Sequence, residues 1–324
     1  MIILLTGAAG FIGSHTAKAL LERDYTVIGV DNLNNYYDPK LKYGRLAGLS
    51  NNPNFSFHEA DISDTEAMNL ITSKQSPDAI IHLAAQAGVR YSIENPSAYT
   101  SANLVGHSVI LELARKNKVT NMVYASSSSV YGGNTSIPFS ETDITDDPVS
   151  YYGATKKSNE LLSNSYSRLY GISLTGLRFF TVYGPWGRPD MAYWIFTDKM
   201  LAGEPIRIFN NGDMERDFTY VDDIVSGILA SLDNPASKLG LAVPHRIYNL
   251  GNDRPEKLMD LVQTIEQSFG ITSKKIYEPM QIGDVQKTWA NIDRARNELN
   301  YKPTTSLKDG INFFSNWYKE WRKH

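Results

Sequence analysis

The 324-residue sequence predicts an α/β protein, a doubly wound parallel sheet with a smaller mixed α/β substrate domain. Three observations carry this. Short apolar runs alternate with helical patterns over the first 125 residues, which requires right-handed crossovers and a parallel sheet. The first run turns into a helix through glycines spaced GxxGxxG. After about residue 180, short strands, helices and turn dipeptides such as Asn211-Gly212 mix. The expected division is 1–180 for nucleotide binding and 181–324 mainly for substrate, with some chain exchange between the two.

The elements follow in order. Ile2-Ile3-Leu4-Leu5 reads as a buried strand, and Thr6 to Ser14 leads from it into a helix running to about Arg23. Gly7 permits the sharp exit from the strand. Gly10 lets a pyrophosphate approach the backbone, and Gly13 lets helix and strand pack closely. The helix N-terminus offers free N–H groups and partial positive charge to phosphate. Gly7, Gly10, Phe11, Ile12 and Gly13 are therefore expected to hold a dinucleotide in a Rossmann-type fold. Tyr25–Val30 is a second strand ending at Asp31, 18 residues after Gly13. A carboxylate there accepts from the adenosine ribose hydroxyls and repels a 2′-phosphate, so NAD is expected rather than NADP. Asn32 and Asn35, in the polar loop that follows, join the cofactor set. Phe55–Ala60 alternates as a third strand. It ends at Asp61, which reaches the adenine amino group or caps the helix near Asp64; Ile62 is placed beside it. Asp78–Ala85 is a fourth, buried strand. Its His82 reads as a core histidine, and Leu83, Ala84, Ala85 and Gln86 pass close to the cofactor. Ser97–Lys118 is a long helical pattern. Asn121–Ala125 is a fifth strand, running into Ser126–Ser129. Later strands are expected at Arg207–Phe209, Phe218–Val221 and Ile247–Leu250. The last helix, Leu307–Trp321, puts Leu307, Ile311, Phe314, Tyr318 and Trp321 on one buried face.

Composition excludes several functions. With 32 basic and 35 acidic residues the net charge is −3, which argues for neither nucleic acid nor an anionic membrane as partner. The absence of cysteine excludes disulfides, thiolate catalysis and cysteine-ligated zinc, and fits a cytoplasmic protein. The six histidines lack metal-binding spacing, so no metal is expected. No run approaches the roughly 20 apolar residues of a membrane helix.

The chemistry centres on Tyr152-Gly-Ala-Thr-Lys156, early in a helical pattern running to about Leu169. Tyrosine and lysine at i and i+4 share a helix face. A phenol titrates near ~10 unperturbed. A neighbouring ammonium and a positive nicotinamide ring would pull it towards neutrality and make it a general base. A serine run also caps strand ends, and then only one of Ser126–Ser129 carries chemistry.

TGAAGFIG, the Asp31 strand end, SSSSVYG and YGATK together resemble the extended short-chain dehydrogenase/reductase superfamily. The block Leu177–Met191, LRFFTVYGPWGRPDM, resembles the nucleotide-sugar 4-epimerases that act on UDP-glucuronic acid, and the resemblance runs from residue 1 to about 320. It implies that Ser127, Tyr152 and Lys156 are catalytic, with Lys156 also holding the nicotinamide ribose. It places Asn103 and Phe179 beside the nicotinamide, Ser128 and Ser129 near the sugar carboxylate, and Thr181 and Arg188 near that carboxylate or the nearby pyrophosphate. It places Arg216 on the UDP phosphate, Asp284 on the uridine ribose, Phe209 over the uracil, and Gln281 near the pyrophosphate. Ile282 stands where the relatives usually have proline, and Gln281 where UDP-galactose epimerases have arginine. The implied reaction interconverts UDP-glucuronate and UDP-galacturonate through a 4-keto sugar that turns over. A 4-epimerase of UDP-glucose or UDP-GlcNAc type is the alternative. Ser128-Ser129 disfavours a 4,6-dehydratase, which needs an acid and a base there, and a silent NAD-binding scaffold would not keep both Tyr152 and Lys156. The helices at 97–118 and 151–169 are expected to pair across a twofold axis in a homodimer.

Overall fold

The computed structural model describes residues 1–281 and 285–323. In chain order its strands are β1 (Ile2–Thr6), β2 (Thr26–Asp31), β3 (Phe55–Glu59), β4 (Ala79–His82), β5 (Asn121–Ser127), β6 (Ser173–Phe179), β7 (Thr181–Tyr183), β8 (Ile206–Ile208), β9 (Glu215–Tyr220), β10 (His245–Leu250), β11 (Pro255–Lys257) and β12 (Lys275–Tyr277). Its α-helices are α1 (Phe11–Leu21), α2 (Lys40–Ala47), α3 (Thr65–Lys74), α4 (Tyr91–Glu94), α5 (Pro96–Tyr99), α6 (His107–Lys116), α7 (Tyr151–Tyr170), α8 (Ala192–Leu201), α9 (Val221–Asp233), α10 (Leu258–Phe269), α11 (Asp293–Leu299) and α12 (Leu307–Trp321).

Seven strands form one parallel sheet in the order β10-β6-β5-β4-β1-β2-β3. Apolar side chains of β1, β4 and β5 feed two separate cores, one on each face, as a sheet covered by helices on both sides demands. The strand order reverses between β1 and β4, and a crevice opens there beyond the strand ends, where doubly wound sheets bind their ligands. Two small sheets, β11-β9-β7 and β12-β8, build the mixed part of the fold.

Several elements depart from the sequence reading. β6 was not read as a strand, because Gly176 and Arg178 interrupt its apolar pattern. Both fit a fully buried strand for tertiary reasons: Gly176 makes room for Tyr124 and Ile247, and Arg178 meets a carboxylate from α7. The strand near Ile247 belongs to the large sheet, beside β6, so the chain leaves the mixed part and returns. β4 stops at His82, and Leu83–Ala85 leave the ladder. The pattern at 97–118 is not one α-helix: between α5 and α6 the chain is π-helical over Thr100–Gly106. Such wide turns are frequent at functional sites.

Other elements follow their local signals. Ser150 caps α7 by accepting the Gly153 N–H at 3.0 Å, and Gly171, at φ +68°, ends it in the left-handed region. Asp64 caps α3 through the amides of Glu66 and Ala67. α12 buries Leu307, Ile311, Phe314 and Tyr318, with Trp321 partly covered.

Candidate active site

The glycine turn at the crevice is sterically determined. A Cβ on Gly13 would stand 1.9 Å from the Gly7 carbonyl oxygen. Gly7 has φ +74°, and a Cβ there would meet the Ala84 amide at 2.8 Å. Gly10 precedes α1 without any side chain capping its first amides. An uncapped helix N-terminus behind a turn of glycines and buried alanines fits a pyrophosphate.

One cleft gathers Gly7, Gly10, Phe11, Ile12 and Gly13 from this turn, Leu83–Gln86 after β4, Ser127 at the end of β5, Tyr152 and Lys156 on α7, Phe179 at the end of β6, and Arg188. Residues that the sequence reading did not select also line it: Asn34, Tyr36, Tyr37, Lys42, Phe180, Val182 and Met191. Tyr36 and Tyr37 had a weak signal, a tyrosine pair in the polar loop after Asp31. Lys42 had none, since a lysine on a short helix reads as solvated.

Where α7 meets the cleft, Lys156 is buried and its Nζ donates to the Ala125 carbonyl at 2.8 Å. Burial lowers the lysine from 10.5 to about 8, against the pull of Glu160 one helical turn on. Tyr152 differs from the sequence expectation. Burial pushes its phenol above 10, while hydrogen bonding with Ser127 and the charge of Arg188 pull it back. Lys156 is not among the groups that depress it. Ser127 Oγ also accepts the Ser129 N–H at 3.1 Å, so this serine both caps the turn and faces the phenol. Ser126, its neighbour, donates to Glu160 at 2.7 Å, and Glu160 forms a buried two-pronged pair with Arg178 at 2.8 Å on each prong.

His82 is the core histidine expected. Its Nδ1 lies 2.7 Å from Thr6 Oγ1, and burial lowers it to about 3. Asn103 sits in the π-helical stretch, where its side chain binds both backbone groups of Gln86 and Thr155 Oγ1 at 2.8–3.0 Å. Its polar atoms are spent inside the fold. It therefore reaches the cleft through Gln86 and does not line it.

Asp31 closes β2 and its Oδ1 takes the Lys42 ammonium at 3.3 Å and the Leu33 amide at 2.9 Å. Asn32 donates to Asp61 at 2.9 Å. Burial raises the Asp61 carboxyl, but hydrogen bonds from Ser63 and Asn32 outweigh it and leave it below the usual range. Asn35 and Ile62 flank this group in sequence but do not line the cleft.

Arg188 forms a two-pronged pair with Asp190, its Nε donating at 3.0 Å, and the Tyr36 hydroxyl donates to the same carboxylate at 3.1 Å. Ser128 and Ser129 begin the turn after β5, and Thr181 begins β7; none of the three lines the cleft. Phe209 lies under two guanidinium groups, Arg90 at 5.1 Å and Arg207 at 5.6 Å. Arg216 Nη1 donates to the carbonyls of Glu215 and Gln286. Gln281 has a buried Oε1 without a hydrogen-bond partner among the described residues. Asp284 lies outside the described residues.

A phenol, an ammonium and a serine set beside an uncapped glycine turn define a dehydrogenase-type site on a doubly wound sheet, one able to move a proton from a hydroxyl beside a bound dinucleotide. Residues 3–251 match the NAD dependent epimerase/dehydratase family, and the chain belongs to that family. It is 47% identical over 334 residues to Protein CapI of Staphylococcus aureus, covering both chains fully. It is 49% identical to UDP-glucuronate 4-epimerase 4 of Arabidopsis thaliana, over 98% of this chain and 75% of that one. Among solved structures it resembles the UDP-glucuronic acid 4-epimerase of Bacillus cereus in complex with UDP-glucuronic acid and NAD, with a TM-score of 0.92, 35% identity, and 99% and 100% of the two chains covered.

Proposed function

We propose that this chain is an NAD-dependent 4-epimerase interconverting UDP-glucuronic acid and UDP-galacturonic acid. The observation that carries the reading is one cleft. It brings Ser127, Tyr152, Lys156 and Arg188 to the glycine turn, in a chain nearly half identical to a UDP-glucuronate 4-epimerase over almost its full length.

Gly7, Gly10, Phe11, Ile12 and Gly13 would hold the cofactor pyrophosphate, and Asp31, Asn32, Asn35, Asp61 and Ile62 its adenosine. Leu83–Gln86, Phe179 and Lys156, with Asn103 behind Gln86, would hold the nicotinamide end. Bound NAD supplies the two-electron acceptor and donor at C4 of the sugar. Tyr152 Oη, as the phenolate, takes the 4-hydroxyl proton and later returns it to the C4 oxygen, after the 4-keto sugar has turned its other face to the nicotinamide site. Ser127, close enough to the phenol to lower its pKa, relays that proton. Lys156 fixes the ribose from its seat on the Ala125 carbonyl. Arg188 lies close enough to lower the Tyr152 phenol electrostatically and faces the sugar's acidic group, with Ser128, Ser129 and Thr181 as further donors. Residues 181–324 mainly grip uridine diphosphate, through Phe209, Arg216, Gln281 and Asp284. A firm UDP grip with a loosely held pyranose is what a turnover of the 4-keto sugar requires.

The working form is a homodimer. The π-helical stretch exposes Val105, and α7 exposes Tyr151, Leu161, Leu169 and Tyr170, an apolar set that a twofold mate would cover. Among the described residues no helix is long and apolar enough to cross a membrane. The cysteine-free composition fits a cytoplasmic location.

The test is incubation of the purified protein with UDP-glucuronate, without added NAD, followed by chromatographic separation of the epimers. UDP-galacturonate is expected, with deuterium placed at C4 retained. Turnover of UDP-glucose or UDP-GlcNAc in its place would overturn the substrate assignment.

A further inference from the structure

The turn that delivers Arg188 is strained. Trp186, a bulky non-glycine residue, sits in the left-handed region at φ +59°, between Gly184 at φ +146° and Gly187. A conformation of this kind persists only where its surroundings over-determine it. Here the surroundings come from α2, an element outside the motif. Arg45 is 4% exposed and uses its whole guanidinium fork. Nε and Nη2 donate to the Trp186 carbonyl at 3.0 and 2.7 Å, and Nη2 donates to the Gly187 carbonyl at 3.0 Å. Nη1 donates to the Ala9 carbonyl at 3.0 Å, inside the glycine turn, and to the Tyr37 hydroxyl at 2.6 Å. The two carbonyls held are those immediately before Arg188. The indole of Trp186 lies over Gly44 on α2, where a Cβ would come within 2.6 Å of the ring, and Trp317 and Trp321 of α12 close its other sides at ring-centroid separations of 5.1 and 5.2 Å.

We propose that Arg45 is the positioning residue for Arg188. It ties the 184–188 turn to the glycine turn, so that the cofactor loop and the group facing the substrate's acid are held by one guanidinium. The fork matters as well as the charge: a lysine gathers its three donors on one nitrogen and could not span the Ala9 carbonyl on one side and the Trp186 and Gly187 carbonyls on the other. The inference rests on the reading of Arg188 as a contact to the sugar's carboxylate, and the experiment separates the two.

The test compares Arg45→Met, Arg45→Lys and Gly44→Ala with the wild type and with Arg188→Ala, as purified proteins with native far-UV circular dichroism. For each, kcat and KM for UDP-glucuronate and the inhibition constant of UDP are measured. The expected result is a KM increase of about tenfold or more for both Arg45 variants, the scale of one lost charge-assisted hydrogen bond, with UDP inhibition moving less than about threefold. Gly44→Ala, which presses on Trp186 and keeps Arg45, should give the same pattern. Adding Arg45→Met to Arg188→Ala should cost little more than Arg188→Ala alone, because one acts through the other. Multiplicative losses, parallel weakening of UDP, or full rescue by Arg45→Lys would overturn the proposal. If Arg188→Ala itself leaves the KM unchanged, the reading of Arg188 fails first. If Arg188→Ala raises it and no Arg45 or Gly44 variant does, the positioning role fails alone.

Discussion

Replacing Lys156 by methionine removes catalysis and also a buried charge, and the second effect can be measured separately. Burial depresses the lysine from 10.5 to about 8, which corresponds to roughly 3 kcal/mol of desolvation carried by the folded state at neutral pH. Between these two values the unfolded chain binds the proton and the folded chain does not. Wild-type stability contributed by this site therefore rises with pH across that window, and the penalty is fully present below pH 8. Methionine carries no such penalty. It does leave the Ala125 carbonyl without its 2.8 Å donor, a loss of about 1–3 kcal/mol that does not depend on pH. Near pH 7 the two effects nearly offset each other, so a single measurement would mislead. The informative quantity is the change in the difference. Urea unfolding of nucleotide-stripped wild type and Lys156→Met at pH 7.5 and at pH 10 should show the wild type gaining on the variant by roughly 2–3 kcal/mol at the higher pH. Free-energy differences that agree within about 0.5 kcal/mol at both pH values would refute the buried-cation account.

Tyr152→Phe should lower kcat by about 10²–10⁴-fold and leave the fold intact, checked by turnover and circular dichroism. Gly13→Ala, whose Cβ would lie 1.9 Å from the Gly7 oxygen, should abolish nucleotide retention, read by chromatography of the nucleotide released on denaturation. Glu160→Gln leaves Arg178 buried with half its pair gone, at a cost of about 3–5 kcal/mol. The melting temperature should then fall by roughly 4–7 °C. Asp31→Ser leaves the Lys42 ammonium unneutralised beside the ribose site, so NADP binding should strengthen relative to NAD in a titration of the stripped protein.

The parts legible in the sequence are those whose cause is local. The glycine turn, the Tyr152–Lys156 step on one helix face and the apolar stripe of α12 each declare themselves within a few residues. What stayed hidden depends on partners far along the chain. Arg178 argues against a buried strand until Glu160 meets it from α7. Arg45 and Lys42 look like solvated charges on a short helix, and only the fold shows them serving Trp186, Gly187 and Asp31. The π-helical stretch has no sequence signal of its own, because its register is imposed by Asn103 clasping Gln86 and by Asn159 reaching the Asn103 carbonyl. The direction of the Tyr152 shift was missed for a similar reason: helix spacing places Lys156 near, but its ammonium is turned to Ala125 and burial dominates.

The tryptophans are unevenly distributed. Four of the five, Trp186, Trp194, Trp317 and Trp321, form one connected group behind the Arg188 turn, and only Trp289 stands apart. Four of the protein's five indoles therefore sit in one place, directly behind Arg188 in the fold. A stopped-flow trace of their ultraviolet emission would follow the turn in real time without any added label.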